Sequence, residues 1–289
     1  MIQLAGMQFK QSGNWPSDSI ESVIIQRMQE APIVYSYQSM YELSFELKLR
    51  KNIIESSRSM NQGASPFANL ANSRCNPQYW QLTEAGGFRL RDDAEPSDAI
   101  RDIYKNSALY AFECATAIII IYYHAVLGSI DEHLFNQLFR NLYLYSWHSD
   151  SDLGIHDIKT SHFLPGDVVY FNNPDFNRET PWWQGENAVV LEDGTYFGHG
   201  IGIEKAEQMI QALNKTRMPG SNQSAYLEIF ATRLSFKHLA KYSMLPRGYL
   251  KHKMQHIIFH HNESSITYNR YLNYLNMIYN QINDINLYP

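Results

Sequence analysis

Cys114 stands where a polar stretch gives way to a long apolar run, with Glu113 directly before it and AIIIIYYHAVLG behind it at 117–128. A thiol in the first turn of a buried helix is placed for nucleophilic attack. Unpaired backbone N–H groups and the positive end of the helix dipole favour the thiolate and lower a pKa ordinarily about 8.5. By residue type alone, Cys114 reads first as one more small buried apolar residue. Glu113 argues for chemistry, because an acid inside such a run needs a partner or a raised pKa. Cys75, in ANSRCNPQYW, has turn-forming neighbours and no acid or base close in sequence, and is read as incidental.

The second group lies in ENAVVLEDGTYFGHG at 186–200, which has the pattern of a β-hairpin. Asp193-Gly194 suits a two-residue type I′ turn, which would set Glu192 opposite Thr195 and Ala188 opposite His199. Glu186 then becomes the diagonal neighbour of His199 on one face, about 7–8 Å away at the backbone and closer at the side-chain tips. A slip of one residue sends the two to opposite faces. Such a pair also serves as an ordinary structural hydrogen bond. A cysteine heading a buried helix, followed by a hairpin with an acid and a histidine, has the chain order of papain-like thiol enzymes and points to acyl transfer. His124, His133, His148, His156 and His162 have no comparable partner and are read as surface or packing residues.

These residues need a scaffold, and the pattern predicts an α+β fold with the nucleophile at the N-terminus of a buried helix packed on an antiparallel sheet. Helices are expected over 39–58 with Ser39 as cap, from Pro96 through PSDAIRDIYKN, over 108–128 with Gly128 as a left-handed stop, over 131–141 and near 204–217. Strands are expected on either side of Gly86-Gly87 within 78–90, near 142–147, 167–173, 186–191 and 195–200, and in the alternating AYLEIFATRLSF. Residues 1–249 read as a single catalytic domain, and 250–289 as a C-terminal extension of unknown role. That extension carries four of the eleven histidines without a compact ligand pattern and is read as solvated.

Composition narrows the class. With 289 residues and 44% hydrophobic content the chain can bury a large core, and 13% aromatic against 18% charged residues excludes a disordered scaffold. A net charge of −5 gives no basic field for nucleic acid. The apolar run at 117–128 falls short of the roughly 20 residues that cross a bilayer, so no membrane partner is expected. MIQLAGMQFKQSGNWPSDS lacks the basic and apolar regions of a secretory signal, from which an intracellular protein is expected. Two cysteines cannot build a disulfide framework or a structural zinc site, and no GxxxxGK[ST], GxGxxG or HExxH pattern is present.

Several segments together resemble the bacterial spore protein-glutamine γ-glutamyltransferases, the small transglutaminases of bacilli. They are YAFECATAIIIIYY at 110–123, WWQGENAVVL at 182–191, YFGHGIGI at 196–203 and QSAYLEIFATRL at 223–234, with FELKLR at 45–50 and SDAIRDI at 97–103 also similar. The resemblance spans about residues 30–235; the N-terminus and the tail depart from it. It implies a papain-like, NlpC/P60-like core needing neither calcium nor any cofactor. Position by position it makes Cys114 the nucleophile, Glu186 and Glu113 the catalytic carboxylates, and His199 the histidine beside them. Trp183 falls in the family's tryptophan-bearing substrate loop.

The activity implied is a γ-glutamyl-ε-lysine cross-link between protein glutamine and lysine side chains, formed through a Cys114 thioester with release of ammonia. The partners implied are spore coat proteins, met in the cytoplasm of the sporulating mother cell and on the assembling coat. Backbone N–H groups heading the Cys114 helix are the expected oxyanion donors. Glu113, Glu186 and His199 all remain open as the base. One rival reading is a papain-like cysteine amidase or peptidase of the NlpC/P60 type acting on cell-wall peptides, since fold alone does not separate the two. A second is a tyrosine-rich coat protein that is itself cross-linked and does not catalyse.

Overall fold

The apolar run behind Cys114 is a helix, although four consecutive isoleucines lose side-chain freedom against a helical turn. Burial decides the matter: of residues 114–127 only His124 is not buried, as fits a helix enclosed between other layers. The computed structural model describes residues 1–10, 15–244, 260–261, 264–265 and 270–276. In chain order these form β1 (Ile2–Leu4), β2 (Met7–Gln8), α1 (Ile20–Glu30), β3 (Tyr35–Tyr37), α2 (Met40–Gln62), β4 (Trp80–Leu82) and β5 (Phe88–Leu90). Next come α3 (Pro96–Lys105), α4 (Cys114–Leu127), α5 (Glu132–Leu138), β6 (Tyr143–Leu144), β7 (His156–Lys159) and β8 (Val168–Asn172). Then follow β9 (Gly185–Val190), β10 (Tyr196–Gly198), β11 (Gly202–Glu204), α6 (Ala206–Asn214), β12 (Tyr226–Arg233) and α7 (Phe236–Ser243). A small hairpin, β13 (His260–His261) and β14 (Ser264–Ser265), and a helical piece at 270–276 complete the described chain.

The central sheet has six antiparallel strands in the order β11-β10-β9-β8-β12-β7. Its two faces meet different helices. Val168, Val189, Leu191 and Phe197 join the core built around α2 and α4. Val169, Phe171, Ala188 and Val190 pack with Met209 and Leu213 of α6 on the other side. Three layers result, and β9, buried along its whole length, runs through the middle one. Among the described residues no helix is long and apolar enough to cross a membrane.

Local chemistry explains the helix ends. Ser39 accepts from the Glu42 amide while the Glu42 carboxylate accepts from the Gln38 amide, a reciprocal cap that starts α2. α4 begins at Cys114, later than the predicted 108, because a 3₁₀ turn at Ser107–Leu109 and bridges from Ala111 and Phe112 occupy the approach. Gly128 does not take the expected left-handed conformation, with φ −73°. Its missing side chain instead leaves room for Asn52, whose Nδ2 donates to Ser129 Oγ and the Ala125 carbonyl.

Buried charge ties the layers together. Arg50 of α2 donates to Glu46 (2.9 Å) and to Asp167 (2.8 Å), and Asp167 also accepts two bonds from Arg233 at the end of β12 (2.6 Å each). Burial alone would raise the Asp167 pKa, but the two guanidinium groups outweigh it and hold the carboxyl below its ordinary value. The tail contributes a second such contact: Arg270 pairs with Glu228 of β12 and lies over the Tyr170 ring at 4.6 Å. Tyr274 donates to the same carboxylate. The four tail histidines have side chains outside the described residues.

Replacing Asp167 with Asn leaves two buried guanidinium groups to share the single counter-charge of Glu46. Chemical denaturation of that variant should show a loss of about 3–5 kcal/mol; a loss under about 1 kcal/mol would show that the cluster is not what joins the layers.

Candidate active site

Glu113 is the N-cap of α4, and its carboxylate is held from three directions. It accepts from the Ala115 amide (2.7 Å), the Thr116 amide (2.8 Å) and the Thr116 hydroxyl (2.8 Å). Thr116 Oγ1 in turn accepts from the Ser146 amide, in a left-handed turn at φ +53°. Two first-turn amides expected to serve as oxyanion donors are therefore occupied by an acid of the chain itself. Burial raises the Glu113 pKa against the pull of these donors and of the neighbouring Cys114 thiol.

The thiol is not the acidified one that a bare helix N-terminus would produce. Burial first, then the charges of Glu186 and Glu113, push Cys114 well above its usual value, with Asn187 pulling the other way. At rest the sulfur is a neutral thiol beside two carboxyl groups, so forming the thiolate requires moving a proton within the site. Cys75 is half-buried, lies near the Trp80 carbonyl, and is raised by burial to about 11.

The β9–β10 hairpin differs by one residue from the two-residue turn predicted. Leu191 donates to Thr195, so Glu192, Asp193 and Gly194 form a three-residue loop, with Gly194 at φ +81°. Arg58 of α2 pairs with both Glu192 and Asp193 and latches that loop. Ala188 consequently faces Gly198, and the residue after His199 reaches Glu186: the Gly200 amide donates to Glu186 Oε1 at 3.2 Å. A Cβ at Gly198 would meet Glu186 Cγ at 2.7 Å, so the glycine makes the space the acid occupies.

Glu186 and His199 therefore do not share a face. Glu186 is fully buried on the α6 side, and burial raises its pKa to about 8 against the backbone amides of Gly200 and His199. His199 is on the α4 side, stacked on Phe112 with ring centroids 4.6 Å apart. Burial lowers its pKa to about 4, which leaves it neutral near pH 7. Its Nε2 has no hydrogen-bond partner among the described residues.

Asn187 takes the place that the predicted register gave to the acid–histidine pair. Its parity on β9 points it toward α4, where Nδ2 donates to Cys114 Sγ at 3.5 Å. Sequence reasoning passed over it. The available signal was a polar residue on the α4-facing parity of an otherwise apolar strand. Cys114, Glu113, Asn187, Tyr170, Trp182 and Glu84 help to line a cavity of about 400 Å³ that opens to solvent. Trp183, expected at the substrate, is not on that wall. It stacks on Phe67 at 5.5 Å and its ring lies against Gly200, while its neighbour Trp182 faces the cavity.

His124 bonds to Ser56 and stacks on Tyr104; His133, His156 and His162 bond to Gln137, the Gly154 carbonyl and the Arg27 carbonyl. His148 packs edge-on against Tyr143. Among the described residues no three His, Cys, Asp or Glu side chains converge as a metal site requires.

Comparison with known proteins gives this geometry its context. The family model for protein-glutamine gamma-glutamyltransferase matches residues 1–243. The protein-glutamine gamma-glutamyltransferase of Halalkalibacterium halodurans is 50% identical over 275 residues, covering 95% of this chain and 97% of the relative. That of Bacillus pumilus is 39% identical over 241 residues, covering 83% and 98%. The solved transglutaminase from Geobacillus stearothermophilus, without its C-terminal extension, has 51% identity and a TM-score of 0.69, covering 72% of this chain and 100% of that one. Likeness at this level over nearly the whole length settles the classification: the chain belongs to the protein-glutamine gamma-glutamyltransferases, acyltransferases acting on protein glutamine and lysine side chains.

Proposed function

We propose that the chain carries out this transfer through a Cys114 thioester and uses it to cross-link proteins of the spore coat. The observation that carries the reading is the Cys114 thiol at the head of α4, opening onto the cavity and set between two carboxyl groups of raised pKa. Glu113, next in the chain and in contact with the sulfur, takes the thiol proton. The thiolate attacks the glutamine γ-carboxamide, and the tetrahedral intermediate expels the nitrogen as ammonia. Glu186 keeps its proton to about pH 8 and supplies it to that leaving group. A lysine amine then attacks the thioester and gives its proton to the Glu186 carboxylate, while the sulfur leaves as a thiolate and takes its own proton back from Glu113, giving the isopeptide. His199, neutral and stacked, supports the Gly200 segment that holds Glu186.

The papain-like description fits a nucleophile heading a helix that packs on an antiparallel sheet, with residues 1–249 as the catalytic unit and 250–289 as an extension. Assembly from the mother-cell cytoplasm onto the coat, without calcium, is part of the same reading. It rests on the resemblance of the motifs to spore enzymes. A wall amidase would release free acid without needing an amine.

Cys114→Ala should abolish cross-linking and ammonia release while Cys75→Ala stays near wild type, read by ammonia assay on a glutamine peptide with and without an added amine. Loss in both variants, or in neither, rejects the nucleophile. Chelators should leave the rate unchanged, because no DxDxDG-type loop is present in the sequence. Activity lost in chelator and restored by calcium would overturn that part.

The proton roles predict a pH profile for the acylation half-reaction. If Glu186 acts in its protonated form, single-turnover ammonia release falls as pH rises through about 8, and Glu186→Gln removes that limb. A rate that instead rises through pH 8 in the wild type would make Glu186 the base.

A further inference from the structure

Asn187 is 3% exposed, forms part of the cavity wall, and turns its Nδ2 toward Cys114 Sγ. One amide width from the sulfur, its Oδ1 has no hydrogen-bond partner among the described residues. A buried carbonyl oxygen left unpaired is uncommon in a packed interior and is costly unless something arrives to fill it. It can only accept a hydrogen bond. What it lacks is therefore a donor, on a residue that lies in the cavity wall beside the sulfur.

We infer that Asn187 Oδ1 accepts a hydrogen bond from the –NH₂ of the substrate γ-carboxamide, making Asn187 the residue that distinguishes glutamine from glutamate and from γ-esters. The inference rests on Cys114 being the nucleophile. With the carbonyl carbon next to Sγ, the carboxamide nitrogen is one bond away and within reach of Oδ1. A glutamate carboxylate in the same pose would set an acceptor against an acceptor. A γ-ester would bring no N–H and leave Oδ1 buried and unpaired. A site built to pair a substrate N–H rejects an analogue lacking it far more strongly than shape alone does. The two ends of the Asn187 amide thus do different work: Nδ2 steadies the sulfur as charge develops, and Oδ1 holds the nitrogen that will leave.

The test is single-turnover acylation of the full-length chain, with no amine present, by two peptides of one sequence. One carries glutamine and is followed by ammonia release. The other carries glutamate γ-p-nitrophenyl ester and is followed by phenolate. Asn187→Ala should slow the carboxamide at least about tenfold more than the ester. An equal fall on both substrates, or no fall on either, overturns the inference and leaves Asn187 as a support for the sulfur or as packing. Asn187→Leu, which keeps the volume, gives the same comparison if the alanine variant lacks a cooperative melt. A third measurement needs no change at position 187: in Cys114→Ser, the glutamine peptide should bind at least about tenfold more tightly than the γ-methyl ester peptide, and equal affinities reject the inference. If Cys114→Ala still acylates, the nucleophile reading fails on its own account, whatever the position-187 variants do.

Discussion

Asp167 is fully buried between Arg50 and Arg233, which reach it from α2 and from the end of β12. An isolated carboxylate could not stay charged there. Because it does, the helical layer and the sheet have one relative position, and α4 is enclosed between them with Tyr122 donating to the Thr232 carbonyl. β8 leaves the cluster at Val168 and brings Tyr170 to the cavity, and β9 pairs beside it with Asn187 opposite Tyr170. Two of the motifs that carried the family resemblance turn out to supply this scaffold: FELKLR holds Glu46 and Arg50, and QSAYLEIFATRL holds Glu228 and Arg233. SDAIRDI does similar work, since Asp102 accepts from Tyr110, Asn76 and Asn106 ahead of the Cys114 turn.

A strand buried on both faces can bring two neighbouring residues to one group in different ways. On β9, Glu186 lies beneath Gly198 and Gly200, where desolvation keeps its proton on, and near enough for its charge to act on the sulfur. Asn187, one residue later, enters the cavity beside the sulfur. Histidine plays no such part here, since stacking on Phe112 removes it from water and from the acid alike.

Much of this was legible in the sequence and some was not, for reasons that can be assigned. Cys114 and Glu113 were readable because an unbroken apolar run leaves few places for a helix to begin. Ser39, Pro96 and the Gly86-Gly87 hairpin followed from capping and turn chemistry, and a Cβ at Gly86 would meet the Leu70 carbonyl at 2.0 Å. The Asp193-Gly194 turn misled because glycine at positive φ serves a three-residue loop as well as a two-residue one. Only the long-range latch from Arg58 and the pairing of Leu191 with Thr195 decide between them. That single residue of register moved Glu186 away from His199. β1, β2, α1, β3, β7, β11, α7, β13 and β14 were not read, the strands among them being two to four residues long and too short for a periodic signal. Asn187 was hidden by its neighbours, between an acid that drew the eye and an alanine that did not.

The carboxylate of Glu113 caps the helix that Cys114 heads, so in the proposed mechanism one group serves both the fold and the reaction. In that mechanism, taking the thiol proton neutralises its charge, and its bonds to the Ala115 and Thr116 amides are no longer charge-assisted. Those amides, aimed at Glu113 and not at the sulfur, then favour returning the proton. On that mechanism helix capping acts as a restoring force: an empty site resets to the uncharged thiol, and the reactive sulfur persists only while a substrate is there to consume it.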